Sequence, residues 1–291
     1  MKYKLLMALA IQRTVYNILI HRAGVEHYSA PVVLLMIDSI HLWVATIMVS
    51  ITGWENNTND WRPMILPAML AWIKNNSIFW GMLYLDPSLH QLVYQINIIF
   101  ASLITPIKLS IRQRFSIFVL FVGICIILYN RDDALYLPQH QHIAGIILTI
   151  IGAASSASSN QAFEDIIKRE RGTTWKRQQQ LSALGVVGAL ISCLQEREYI
   201  IESEPISNPM MLLVVIKCAG DIIIPFVLKY ASNVVKGFSD TLAVFLSIIL
   251  TQVLYHWNPH IEFYIGSAFI FLAALMFNHE IENKKSKVLT V

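Results

Sequence analysis

Hydrophobic residues in this chain come in long unbroken runs instead of the alternating or one-sided patterns of soluble strands and helices. About 20 consecutive apolar residues suffice for a helix to cross the hydrocarbon core of a bilayer. Against that length ten segments stand out, near 4–22, 32–52, 63–85, 88–107, 115–130, 141–163, 179–195, 209–228, 234–255 and 261–278. The first is the weakest, because Arg13 interrupts it, and the fifth is short but almost wholly apolar. The opening MKYKLLMALAIQR superficially resembles a secretory signal, but its apolar core ends at Gln12-Arg13. It reads as the start of the first span. Connections are brief throughout, so residues 1–291 are expected to form one transmembrane domain.

Charge placement sharpens that expectation. With the N-terminus in the cytosol, the cytosolic pieces carry Lys2, Lys4, Arg62, Lys108, Arg112, Arg114, Lys168, Arg169, Arg171, Lys176, Arg177, Lys229, Lys236, Lys284, Lys285 and Lys287, which is 16 residues. The opposite side holds only three, Arg22, Arg131 and Arg197. This positive-inside bias predicts ten helices with both termini cytosolic. It places the acidic stretch 196–205 on the far side and the Asn56-Asn57-Thr58 sequon in a cytosolic loop, out of reach of glycosylation.

Composition agrees. Of the 291 residues, 55% are apolar and only 14% charged, against about 25% charged in a soluble domain. The mean hydropathy is +0.54. Cys125, Cys193 and Cys218 all fall in apolar segments, so no disulfide framework is expected. Neither a nucleic-acid motif nor a cofactor or metal motif stands out, and the formal net charge of +3 matters less than where the charges lie.

Candidate chemistry lies inside the spans. The stretch from 71 to 106 reads as two apolar helices joined at Asp86-Pro87-Ser88, yet Lys74, Asn75 and Asn76 sit in the first and His90, Gln91, Gln95 and Asn97 in the second. A lysine at the centre of a membrane helix costs roughly 2.5–3.5 kcal/mol on insertion scales, and such charges face a wet cavity or a partner. Lys217 has a candidate partner in Asp221 one turn on, whereas Lys74 has no acid nearby in sequence. As compact cations both are candidates for neutralising substrate phosphates. Asn75 and Asn76 are adjacent, so only one can point fully into a cavity. Gln91 and Gln95, one helical turn apart, share a face with Ser88, while His90 and Asn97, two turns apart, share another with Tyr94, which is the face favoured as cavity lining. Asp38 and His41 are candidate partners for Arg13, and Asp240 for Lys236.

The halves resemble each other. Ile73-Lys74 in the third span is matched by Ile216-Lys217 in the eighth, each followed by a short junction and a second helix. Five helices per half would invert one half relative to the other, giving repeats near 1–130 and 141–278 with a substrate site between them at the midplane. Small residues at 152–159, with Gly185 and Gly188, predict close helix packing.

Several segments resemble the Golgi nucleotide-sugar transporters of the CMP-sialic acid, UDP-galactose and UDP-N-acetylglucosamine branch of the drug/metabolite transporter superfamily. KYASNVVKGFS (229–239) is similar to that family's KYxDNxxKGFx signature, Asn75-Asn76 to its QNN, and LDPSLHQLVYQ (85–95) to its NLDAAxYQVTYQ. Phe163-Glu164 through Lys168 resembles FEKxLK, and Trp175, Arg177 and Gln180 resemble WxRNxQ. The resemblance implies an all-α integral membrane protein of ten helices in two inverted five-helix repeats, the drug/metabolite transporter fold. It also implies exchange of a cytosolic nucleotide sugar for a luminal nucleoside monophosphate, in the Golgi membrane or alternatively that of the endoplasmic reticulum.

The implied substrate-binding set is Lys74, Asn75, Asn76, His90, Tyr94, Asn97, Lys217, Lys229, Asn233 and Lys236. Four positions depart from the family pattern. Asn97 stands where relatives carry a phosphate-facing lysine, Lys74 where they carry glutamine, His90 for tyrosine and Ser232 for aspartate. Lys74 is therefore expected to take over phosphate pairing.

Other readings stay open at this point: a superfamily member carrying a different solute, a scaffold that no longer transports, or an intramembrane enzyme using Asp132-Asp133 for a magnesium diphosphate. The last lacks a second acidic cluster, so no enzyme is expected. Oligomeric state is open too, a homodimer included.

Overall fold

The computed structural model describes residues 2–23, 28–52, 60–85, 87–105, 110–129, 139–169, 174–197, 206–231, 233–255 and 260–289. Asn56, Asp132-Asp133, Lys108, Arg131, Ser232 and most of the acidic stretch lie outside them. Secondary structure among the described residues is helical, without a strand: α1 (Lys2–Ala23), α2 (Ala30–Thr52), α3 (Arg62–Tyr84), α4 (Pro87–Tyr94), α5 (Ile96–Ile104), α6 (Ile111–Tyr129), α7 (Gln139–Arg169), α8 (Thr174–Gln195), α9 (Asn208–Tyr230), α10 (Asn233–Tyr255) and α11 (Ile261–Leu289).

Local sequence explains several helix starts. Ser110 and Gln113 form a reciprocal capping box at α6: the Gln113 amide donates to Ser110 Oγ (3.2 Å) and the Ser110 amide to Gln113 Oε1 (2.9 Å). Ser207 caps α9 with Pro209 in its first turn, and Tyr28 donates to Ser207 Oγ at 2.6 Å, fixing the entry to α2 beside it.

Each predicted span has a helix, but the fourth is broken. At Gln95 the backbone switches to three-residue steps: the Gln95 amide donates to the Leu92 carbonyl and the Ile98 amide to that of Gln95. Gln95 Oε1 accepts from Thr241 Oγ1 of α10 at 2.9 Å, so a neighbouring helix holds the break. The sixth span is longer than its apolar run, because α7 continues to Arg169.

The distribution of side chains is that of a protein solvated by lipid. Trp43 (69% exposed) and Leu194 (79%) face outward, while Gln12, Asn17, His41, Gln178 and Gln180 are buried. The usual burial order of soluble proteins is thus reversed on both sides. Helices α2, α7 and α9 are long and apolar enough on their own to cross a membrane. A helix of 23 residues such as α2 or α9 is about 34 Å long, matching the hydrocarbon thickness.

Packing is extensive between α3 and α7, α6 and α11, and α2 and α8; α1 lies against α9 and α10, and α4 and α5 against α7. The small-residue expectation holds at two of these seams. A Cβ added to Gly152 of α7 would lie 2.9 Å from Ile78 of α3, and one on Gly188 of α8 would lie 2.8 Å from the Trp72 ring.

Candidate functional site

A central cavity of about 140 Å³ opens between α1, α2, α3, α4, α7, α9 and α10. Its walls include Lys74 and Asn75 from α3, His90, Gln91 and Tyr94 from α4, Gln95 at the break, Lys217 from α9 and Lys236 from α10. A second cavity of about 90 Å³ adjoins it between α2, α3, α7, α8 and α9. Lys74, Asn75 and Asn160 line both, so they mark the junction.

The cations differ in how they are balanced. Lys217 forms an ion pair with Asp221 one turn along α9. Lys236 Nζ donates to Asp240 Oδ2 at 2.9 Å, as its spacing predicted, and Arg13 Nε stands 3.5 Å from Asp240 Oδ1. Lys74 has neither a hydrogen bond nor an ion pair to any described residue. Its ammonium therefore faces the cavity without a direct partner, with Asp38 and Asp221 acting on it only through space.

The expected pairing of Arg13 with Asp38 or His41 is corrected. Helix α1 packs on α9 and α10, so its guanidinium reaches Asp240. His41 Nε2 instead contacts the Cys218 carbonyl at 3.1 Å. Asp38 faces the second cavity, with Gly185 of α8 against its carboxylate.

On α4, His90 and Tyr94 stack with ring centroids 6.1 Å apart and planes 17° from parallel. The rings line the cavity, His90 is only 4% exposed, and its Nε2 has no hydrogen-bond partner. Gln91 Nε2 is likewise buried without one.

The remaining predicted positions lie elsewhere. Asn76 donates to the Trp72 carbonyl at 2.9 Å and accepts from Ser192 Oγ at 3.5 Å, tying α3 to α8 while Asn75 takes the cavity side. Asn97 is buried in α5 and away from both cavities, because the break at Gln95 ends the seven-residue relation to His90. Lys229 donates to Thr174 Oγ1 at 3.2 Å. Asn233 opens α10: its amide donates to Glu164 Oε2 (2.7 Å) and its Nδ2 to the Ala157 carbonyl (3.0 Å). The signature around Asn233 thus fastens the α9–α10 junction to α7, with Lys168 pairing with Glu164 and donating to the Ala231 carbonyl.

Comparison with known proteins decides the family. The family model described as nucleotide-sugar transporter matches residues 1–278. The chain belongs to the nucleotide-sugar transporter family.

Among its relatives, the UDP-N-acetylglucosamine transporter of Homo sapiens is 24% identical over 242 residues, covering 77% of this chain and 73% of its own. The UDP-N-acetylglucosamine/UDP-N-acetylgalactosamine transporter nstp-4 of Caenorhabditis elegans is 26% identical over 237 residues, covering 76% and 70%. A solved crystal structure with a TM-score of 0.66 and 15% identity covers 93% of this chain and 95% of its own, which shows a shared fold. This family member is thus a multi-pass membrane protein of a transporter family, and its relatives are transporters, not enzymes.

The sequence reading does not single out Tyr16, Asn17 or Asn160 of the cavity wall, takes Ser156 as part of a packing stripe, and takes Arg13 as a weak point of its span. A charge or amide well inside an apolar span is the available signal in Arg13 and Asn17. Ser156 carried none, because a serine in a small-residue stripe satisfies itself within its helix.

Proposed function

We infer that this chain exchanges a cytosolic nucleotide sugar for a luminal nucleoside monophosphate by alternating access at the central cavity. The carrying observation is the unpaired Lys74 ammonium facing that cavity. An anionic phosphate is the ligand that such a cation lacks, and a charge-assisted hydrogen bond to it contributes roughly 1.5–3 kcal/mol. UDP-sugar transporters among the relatives support the substrate class.

The packing pattern supports inverted five-helix repeats. Counting α4 and α5 as one span, a shift of five spans turns the α3–α7 contact into α9–α1 and the α7–α4/α5 contact into α1–α10. The pairs α2–α8 and α6–α11 map onto themselves. A broken helix at the cavity is a recurring feature of such carriers. In a carrier of this kind substrate loads as the two halves part around the site.

In this reading Lys74 pairs with phosphate and the His90–Tyr94 stack and Asn75 meet the base, while Lys217 and Lys236 stay in their ion pairs with Asp221 and Asp240. Asn76, Lys229 and Asn233 support the frame. The protein works in the Golgi membrane, or alternatively the endoplasmic reticulum, with both termini cytosolic.

The test is uptake by proteoliposomes containing the purified chain, offered labelled UDP-, CMP- and GDP-sugars. Preloading with the matching nucleoside monophosphate is expected to accelerate uptake of one class. Uptake indifferent to every preload would overturn exchange.

A further inference from the structure

The second cavity has chemistry of its own. Gln178 on α8 is 4% exposed, lines that cavity, and its Oε1 has no hydrogen-bond partner. Asp38 on α2 lines it too, with neither a hydrogen bond nor an ion pair to a described side chain. Gln178 Oε1 is a buried acceptor without a donor, which costs free energy unless a ligand or water supplies a hydroxyl proton, and the half-buried Asp38 carboxylate opens onto the same space. Beside them stands Trp72, its Nε1 donating to Ser192 Oγ at 2.9 Å and its ring seated on Gly188. Acceptors for hydroxyls beside a fixed aromatic ring are what a pyranose requires: hydroxyls around its edge and a C–H face for the ring.

The order of the groups adds a second argument. A nucleotide sugar places phosphate between base and sugar. Here the stacked His90–Tyr94 rings line the first cavity, Lys74 stands at the junction, and Gln178 and Asp38 line the second. We propose that the second cavity is the sugar subsite, with Gln178 and Asp38 as specificity-determining acceptors for the sugar hydroxyls. This rests on the nucleotide-sugar reading above.

The two readings separate in one assay. Proteoliposomes of the full chain exchange labelled UMP, with unlabelled UMP or UDP-N-acetylglucosamine as competitor. Gln178→Ala and Asp38→Asn are expected to raise the half-inhibiting concentration of the nucleotide sugar about tenfold, with that of UMP unchanged within about twofold. Gly185→Ala, whose Cβ would lie 2.8 Å from the Asp38 carboxylate, is expected to give the same selective loss by narrowing the cavity. It also covers the case in which Gln178→Ala fails to fold. Equal weakening of both competitors, or of neither, overturns the sugar subsite and leaves exchange intact. No UMP exchange by the wild type defeats the exchange reading, and this one with it.

Discussion

Lys74 on α3 and Lys217 on α9 face the same cavity from opposite walls, each preceded by isoleucine, yet they hold their charge differently. Lys217 has Asp221 one turn away and is neutralised by it. The corresponding turn of α3 offers Ile78, so Lys74 stays unpaired. A cavity-facing cation with an acid at i+4 belongs to the protein's own electrostatics, whereas one without a direct partner is available to a ligand. The α9 wall is therefore built for stability and the α3 wall for binding.

Breaking the ion pair should have the largest effect. Lys217→Ala takes the direct partner from the half-buried Asp221, and losing a charge-assisted contact of that kind costs about 1–3 kcal/mol. Unfolding in mixed micelles should show that loss, and the double change Lys217→Met with Asp221→Leu should recover most of it. Lys74→Gln should do the reverse, lowering exchange about 10- to 100-fold while leaving unfolding unaffected, since no internal partner is lost.

Smaller changes sharpen the contrast between walls. Gly152→Ala presses on Ile78, one turn from Lys74, and overpacking of that kind costs about 1–3 kcal/mol. Exchange rate and unfolding should fall together. Glu164→Gln weakens the cap on the first amide of α10 at the far end of α9, worth about 1 kcal/mol. Its signature is earlier unfolding with an unchanged preference among nucleotides.

Much of this was legible in the residues. Span positions follow from apolar run lengths, Lys74 from an unbalanced charge in such a run, and the Lys236–Asp240 pair from its spacing. The break at Gln95 was not legible, because neither glycine nor proline marks it and Thr241, 146 residues away, helps to hold it. That break is why Asn97 left the face shared by His90 and Tyr94. The partner of Arg13 is hidden for a similar reason: sequence proximity suggests Asp38 or His41 of α2, but α1 packs on α9 and α10 and reaches Asp240. The second cavity is built from α2, α3, α7, α8 and α9, a juxtaposition that no single segment announces.

The most direct test of the unpaired cation is the thermal shift produced by UMP. A ligand that binds only the folded state raises stability by RT ln(1 + [L]/Kd). Saturating UMP is expected to raise the melting temperature of the wild type, with the shift lost in Lys74→Gln and largely restored in Lys74→Arg. An identical shift in wild type and Lys74→Gln would contradict the account.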